Sequence, residues 1–211
     1  MERFKKEKVN VLIGTQMVAK GLDLPDVTLV GVLDADLSLY TDSFRAAETT
    51  FNMLTQVVGR SGRGDASGQA LIQTMVPQHS VINLAAAQDY DGFYEMEIRL
   101  RRAQDLPPFV DLATITFTGE DEAALLRGAT KFRDSLVHYF HHPDNANEAG
   151  SVLGPAPCAV PKINYNYRYR LSLRCHITGS VRQMLSSLLR QFAQDRANRG
   201  VSVFIDINGF D

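Results

Sequence analysis

Between residues 167 and 176 the side chains alternate without interruption. Tyr167, Tyr169, Leu171, Leu173 and Cys175 fall on one side, and Arg168, Arg170, Ser172, Arg174 and His176 on the other. Successive side chains of a strand leave opposite faces, so this period of two predicts a strand with an apolar face and a basic one. The flanking sequence offers elements to cover the apolar face. "ATITFT", residues 113–118, alternates Ala113, Ile115 and Phe117 with Thr114, Thr116 and Thr118, another half-buried strand. Residues 121–140 predict a helix on which Leu125, Ala129, Phe132, Leu136 and Phe140 share one face. After the loop "HHPDNANEAGS", "VLGPAP" begins an extended segment; residues 181–198 predict a second helix, with Met184, Leu188 and Phe192 inward and Gly200 closing it. "VSVFIDI" is the last strand. The order strand, helix, two strands, helix, strand predicts a ferredoxin-like split βαβ sandwich with both helices on one face of the sheet.

The pattern differs ahead of "LPPF", where Pro107 and Pro108 forbid a helix to continue. Valine-rich runs at 9–13 and 27–33 predict parallel strands buried on both faces, "GQALIQT" (68–74) a third short strand, and residues 44–58 a helix that stops at Gly59. Three strands are fewer than a nucleotide-handling α/β lobe normally uses, so the first part reads as the end of a lobe that begins elsewhere. The expected organisation is therefore an incomplete α/β lobe over residues 1–78, a helical connection over 79–105 (its helix spanning about 80–104), and an α+β domain over 106–211. An exposed sheet edge in the incomplete lobe would invite self-association.

The formal net charge of -2 conceals an uneven distribution: residues 149–194 contain no Asp or Glu but include Lys162, Arg168, Arg170, Arg174, Arg182 and Arg190. Such a patch suits a phosphate backbone or an acidic peptide better than a membrane. No apolar run approaches the roughly 18 residues of a membrane span, and "MERFKKEKVN" lacks the apolar stretch of a secretion signal, so a cytoplasmic chain is expected. Cys158 and Cys175 have no second pair, which indicates neither a disulfide framework nor a zinc knuckle, and no metal ligands are assigned. His141, His142 and His176 lack partners at ligand or triad spacing and are expected in loop or surface roles.

The run "QVVGRSGRG", residues 56–64, carries the clearest chemical pattern. Phosphoryl transfer is catalysed largely by positive charge held against the phosphate in the transition state, a task that suits a planar guanidinium. Gln56 and Arg60 would sit near the end of a helix, while the glycines would let Arg63 approach a ligand closely. The alternative is a solvated arginine turn.

The segment "GTQMVAKGLDLPDV" resembles the fifth conserved motif of superfamily 2 helicases, and "QVVGRSGR" resembles the sixth. Together with "VLDAD", "FRAAE", "RLRRAQDLPPF" and "LGPAP" followed by the basic tyrosine-arginine strand, they make nearly the whole chain similar to the carboxy-terminal part of the PriA (primosomal protein N′) family of replication-restart DNA helicases. The resemblance implies that residues 1–78 end the second RecA-like lobe. It implies that Arg60 and Arg63 are arginine fingers toward ATP on the other lobe, with Gln56 arranging nucleotide and water. Gly14, Thr15 and Gln16 would couple that site to the DNA backbone. Lys20, Gly21 and Asp23 belong to the same motif, with Asp23 near the ribose or the finger arginines; Lys20 reads nearly as well as a surface charge. Asp34 and Asp36 mimic a magnesium-binding acidic motif but are expected to be structural or coupling residues.

No Gly-x-x-x-x-Gly-Lys-Ser/Thr phosphate loop is present, so ATP and Mg²⁺ would be held by the full-length protein and not by this chain alone, which should not hydrolyse ATP. The family's zinc cluster is not expected here. The last domain would contact forked and single-stranded DNA, the acidic tail of single-stranded DNA-binding protein and other primosome proteins. Lys162, Arg168, Arg170 and Arg174 are the DNA or partner candidates, and Arg182 and Arg190 could belong to a helix that meets the acidic tail. Tyr165, Tyr167 and Tyr169 could stack on bases, although a core position is the better reading of Tyr167 and Tyr169. Two other readings are a non-enzymatic nucleic-acid or protein-binding module of the primosome, and a subunit that lends arginines in trans to a separate ATPase.

Overall fold

The computed structural model describes residues 9–15, 27–59 and 68–209. The chain divides into two compact units, Met1–Ile98 and Arg99–Asp211.

In the first unit β1 (Leu29–Val32) and β2 (Gln69–Ile72) pair in parallel, with Leu29 opposite Gln69 and Val32 opposite Ile72. Around them lie α1 (Asp36–Leu39), α2 (Ala46–Val58), α3 (Ser80–Ala86) and the start of α4 (Tyr90–Ala103). Helix α2 stops where expected, the Gly59 N–H donating to Thr55 O at 2.9 Å. Its apolar stripe buries Phe51 and Leu54 among Val81, Ile82, Ala85 and Phe93, and the Phe51 and Phe93 rings stack at 4.1 Å. Residues 79–105, read from the sequence as a connection, thus contribute side chains to this core.

Three expectations change here. Residues 9–13 form no strand, and Val11 and Ile13 are 68% and 87% exposed: the apolar run pairs with no strand among the described residues. The strands β1 and β2 are not buried on both faces. Val32 and Ile72 pack toward the helices, whereas Leu29 and Leu71, on the other face, are 61% and 65% exposed, because the cluster that covers the pair lies on one side only. The continuous helix expected over 80–104 is broken after Ala86. Gln88 takes a φ of 54°, and the Asp89 Oδ1 accepts the Gly92 N–H at 2.9 Å, which starts α4 as a separate helix.

The second unit runs β3 (Asp111–Gly119), α5 (Glu122–His141), β4 (Gly150–Ile163), β5 (Asn166–Cys175), α6 (Gly179–Gln194) and β6 (Val201–Ile207). The sheet order is β4-β5-β3-β6 with every neighbouring pair antiparallel, the topology of a ferredoxin-like split βαβ sandwich. Ala113, Ile115 and Phe117 of β3 and Leu171, Leu173 and Cys175 of β5 are buried against Leu125, Ala129, Phe132 and Leu136 of α5 and Val181, Leu185 and Phe192 of α6. Asp121 caps α5, its Oδ1 accepting the Ala124 N–H at 3.0 Å, and Thr178 caps α6 by accepting the Val181 N–H. Helix α6 ends at Gln194, earlier than expected, and a 3₁₀ turn follows at Arg196–Asn198. There the Asn198 side chain donates to Phe192 O at 3.1 Å, satisfying a carbonyl at the helix end. Gly200, with a φ of 85°, turns the chain into β6. No helix among the described residues is long and apolar enough to cross a membrane.

Candidate nucleic-acid interface

The helices α5 and α6 cover one face of the second sheet and leave the other to the arginines of β5. Cross-strand pairing sets their neighbours: Arg168 lies opposite Thr118, Arg170 opposite Thr116 and Ala156, and Arg174 opposite Leu112 and Ser151. On the far side of β3, Thr118 meets Ser202, Thr116 meets Phe204 and Thr114 meets Asp206. The open face is therefore a threonine row between a strand of arginines and a strand carrying an exposed phenylalanine. Phe204 is 52% exposed, and Thr116, flanked by Phe204 and Arg170, is only 5% exposed. The alternation of "VSVFIDI" already places Phe204 outward, a signal that the sequence reading passes over.

The five candidates of this domain do not form one site. Arg168 has no ion-pair partner among the described residues. Arg174 is tied down: its Nη1 donates to Gln104 O at 3.1 Å, and its Nε is buried without a partner. Lys162 places Nζ 4.1 Å from the Tyr167 ring centroid, a cation–π contact at the end of the β4–β5 hairpin. Arg182 belongs to the first turn of α6, in the helical layer on the opposite side of the sheet, where its charge acts on Asp111. Arg190 is exposed farther along the same helix. Tyr167 and Tyr169 pack against the core, and the Tyr169 hydroxyl donates to Glu122 Oε1 at 2.6 Å; Tyr165 alone of the three is 83% exposed.

Carboxylates hold the ends of this scaffold. Asp111 Oδ2 accepts the Ile177 N–H at 2.9 Å and Oδ1 accepts the Asn208 side-chain amide at 2.7 Å. Glu148 accepts from the Tyr139, Thr178 and Ser180 hydroxyls, pinning the loop after α5 to the start of α6. Burial pushes the Cys175 thiol up to about 11, in keeping with a protonated side chain in the core.

In the first unit, Gln56 is exposed in the last turn of α2, and Gly14 and Thr15 are exposed and outside any strand. Gln16, Lys20, Gly21, Asp23, Arg60 and Arg63 lie outside the described residues. Asp36 has both carboxylate oxygens engaged: Oδ1 accepts the Thr74 hydroxyl and Oδ2 the Met75 N–H, both at 2.7 Å. The carboxylate ties the turn after β1 to the end of β2. Asp34 holds a φ of 55° in that turn. No group of three or more His, Cys, Asp or Glu among the described residues is arranged to hold a metal ion.

The model of the primosomal protein N C-terminal domain matches residues 102–209, which is the split βαβ unit with the chain that leads into it. The helicase conserved C-terminal domain matches residues 1–65. The chain is 37% identical to the replication restart protein PriA of Bacillus subtilis (strain 168) over 210 residues, 100% of this chain and 25% of that protein. It is 37% identical to that of Treponema pallidum (strain Nichols) over 211 residues, and 35% identical to that of Chlamydia muridarum (strain MoPn / Nigg) over 208, covering 30% and 26% of those proteins. The chain belongs to the PriA family. It spans between a quarter and a third of the length of these PriA relatives. The helicase match takes in both arginine-bearing and glycine-bearing motifs, and the PriA C-terminal match takes in the whole open sheet face.

Proposed function

We propose that this chain is the carboxy-terminal part of an ATP-dependent DNA helicase that moves 3′ to 5′ and acts in replication restart at stalled forks. Its second unit would hold DNA on the uncovered face of the sheet. The observation that carries this reading is the β5 strand, whose arginines leave the helix-covered core and line an open face in a 46-residue stretch, 149–194, that has no acidic side chain. Arg168 and Arg170 follow a phosphate backbone, Lys162 adds a charge at the hairpin, and the threonine row offers hydroxyl donors beside them. Arg182, on the other layer, suits a separate partner such as the acidic tail of single-stranded DNA-binding protein, and further primosome proteins complete the set.

Arg60, Arg63 and Gln56 are the residues proposed to act on ATP, with Gly14, Thr15, Gln16, Lys20, Gly21 and Asp23 coupling nucleotide to DNA. ATP and Mg²⁺ supply the driving reaction in the full-length protein. The chain has no phosphate loop, which supports the reading that it does not hydrolyse ATP alone. The proposed compartment is the cytoplasm.

A salt series with single-stranded and forked DNA, run beside an ATPase assay, tests the reading. Salt-dependent binding without ATPase activity supports it. Salt-sensitive binding that survives Arg60→Ala and Arg63→Ala, together with a full-length protein that shows no ATPase or unwinding activity, would favour a non-enzymatic binding module. DNA-stimulated ATPase by the chain alone would overturn the division of labour.

A further inference from the structure

The β4–β5 hairpin closes on two residues. Ile163 pairs with Asn166, leaving Asn164 and Tyr165 as the turn, with φ values of 46° and 69°. Two left-handed residues in a two-residue loop form the turn whose twist matches a β-hairpin, and Asn-Gly is its usual sequence. Asparagine tolerates the first position. At the second, a bulky side chain is strained where glycine would be relaxed. The turn lies beyond Gly119, the last residue of β3, so the tip extends past the four-stranded part of the sheet.

Strain at this position gains nothing for the fold. The Tyr165 ring is 83% exposed, and it makes no hydrogen bond or ring contact among the described residues. Tyr167 and Tyr169, by contrast, are packed, and the Tyr167 ring carries the Lys162 ammonium. The tip is thus an aromatic face in water, with Lys162 before the turn on the Tyr167 side of the hairpin and Arg168 after it on the other side. The acidic residues Glu120, Asp121 and Glu122 follow the end of β3 that pairs with Tyr167, whereas the 149–194 segment itself has no Asp or Glu. That combination complements a polyanion whose units present flat π-faces. An acidic peptide would satisfy the cations but leave the ring unused.

We propose that Tyr165 is a stacking platform for an unpaired nucleobase, with Lys162 and Arg168 holding the phosphates that flank it. This rests on the DNA-binding reading above and adds to it a contact with the base, so that the hairpin tip distinguishes single strands from bare phosphate backbone.

The test uses the 211-residue chain and two equally long labelled probes, an oligothymidylate and an abasic strand, measured by anisotropy at matched salt concentrations across a series. The unsubstituted protein should prefer the oligothymidylate by about tenfold or more. Tyr165→Ala should erase that preference while leaving the affinity for the abasic strand and its salt dependence unchanged; Tyr165→Phe should keep it. Tyr165→Gly, which relaxes the turn, should behave as the alanine variant does, excluding a misfolded hairpin as the cause. A preference that survives in the alanine and glycine variants overturns the proposal, as does equal binding of both probes by the unsubstituted protein. Binding of neither probe overturns the DNA reading itself.

Discussion

At the residue scale the scaffold depends on carboxylates with both oxygens engaged. Asp111 is held below its ordinary value of 3.8 first by the Ile177 N–H and then by the Asn208 amide, and Glu148 below 4.5 first by the Ser180 hydroxyl, then by Tyr139 and Thr178. A carboxyl whose folded value is depressed contributes stability that is complete above its unfolded value and is lost as pH falls through the folded one. The thermal midpoint should therefore fall as pH drops below about 4.5, and Asp111→Asn should flatten the lower part of that decline. At neutral pH, Asp111→Ala should cost about 1–3 kcal/mol in urea unfolding, because it leaves the Ile177 N–H and the Asn208 amide without their acceptor. The arginines separate by the same logic. Arg168→Ala should lower the slope of log affinity against log salt by about one with stability unchanged. Arg174→Ala removes the bond to Gln104 O, so its larger effect should appear in unfolding.

At the element scale the sandwich closes on three rings from three elements: Phe117 of β3, Phe132 of α5 and Phe192 of α6, with centroids 5.6, 5.6 and 6.0 Å apart. Phe132→Ala leaves a cavity among buried neighbours and should cost about 3–5 kcal/mol, a large part of what a domain this size has, so a lowered urea midpoint checks it. This layer was legible in the sequence because one face of β3 and of β5 is buried and the other is not, and a one-residue slip would put Arg170 where Leu171 lies. The first unit was less legible. A valine-rich run looks the same whether two layers cover it or one, so the exposure of Leu29 and Leu71 could not be read from it, nor could the irregular backbone of residues 9–13. The break before α4 did leave a trace in Asp89, a good capping residue, amid otherwise helical sequence. Of the interface, the basic face of β5 was readable. The capture of Arg174 by Gln104 was not, since it joins residues 70 apart in sequence, and neither was the left-handed turn that isolates Tyr165.

At the scale of the whole molecule, the face of the parallel pair turned away from the helices decides how the chain behaves in solution. Parallel strands are normally covered on both faces. Here Leu29 and Leu71 lie on the uncovered face, and a Cβ built on Gly31 between them would meet nothing within 4 Å. Leu33, Leu37 and Met75, at or beyond the strand ends, are 77%, 73% and 88% exposed. Burying an exposed leucine releases about 1.5–3 kcal/mol, so a few such side chains brought together by a second copy offset much of the cost of association. The isolated chain should therefore show a mass by light scattering that rises with concentration, and replacing Leu29 and Leu71 with lysine should return it to a monomer without lowering the stability of the split βαβ unit, which has its own core. A clean monomer at high concentration would mean that this apolar face is covered by the chain itself. If the lysine pair abolished association and single-strand binding together, self-association and the nucleic-acid interface would have to be treated as one property; independent loss would keep the naked face and the basic sheet as two separate surfaces.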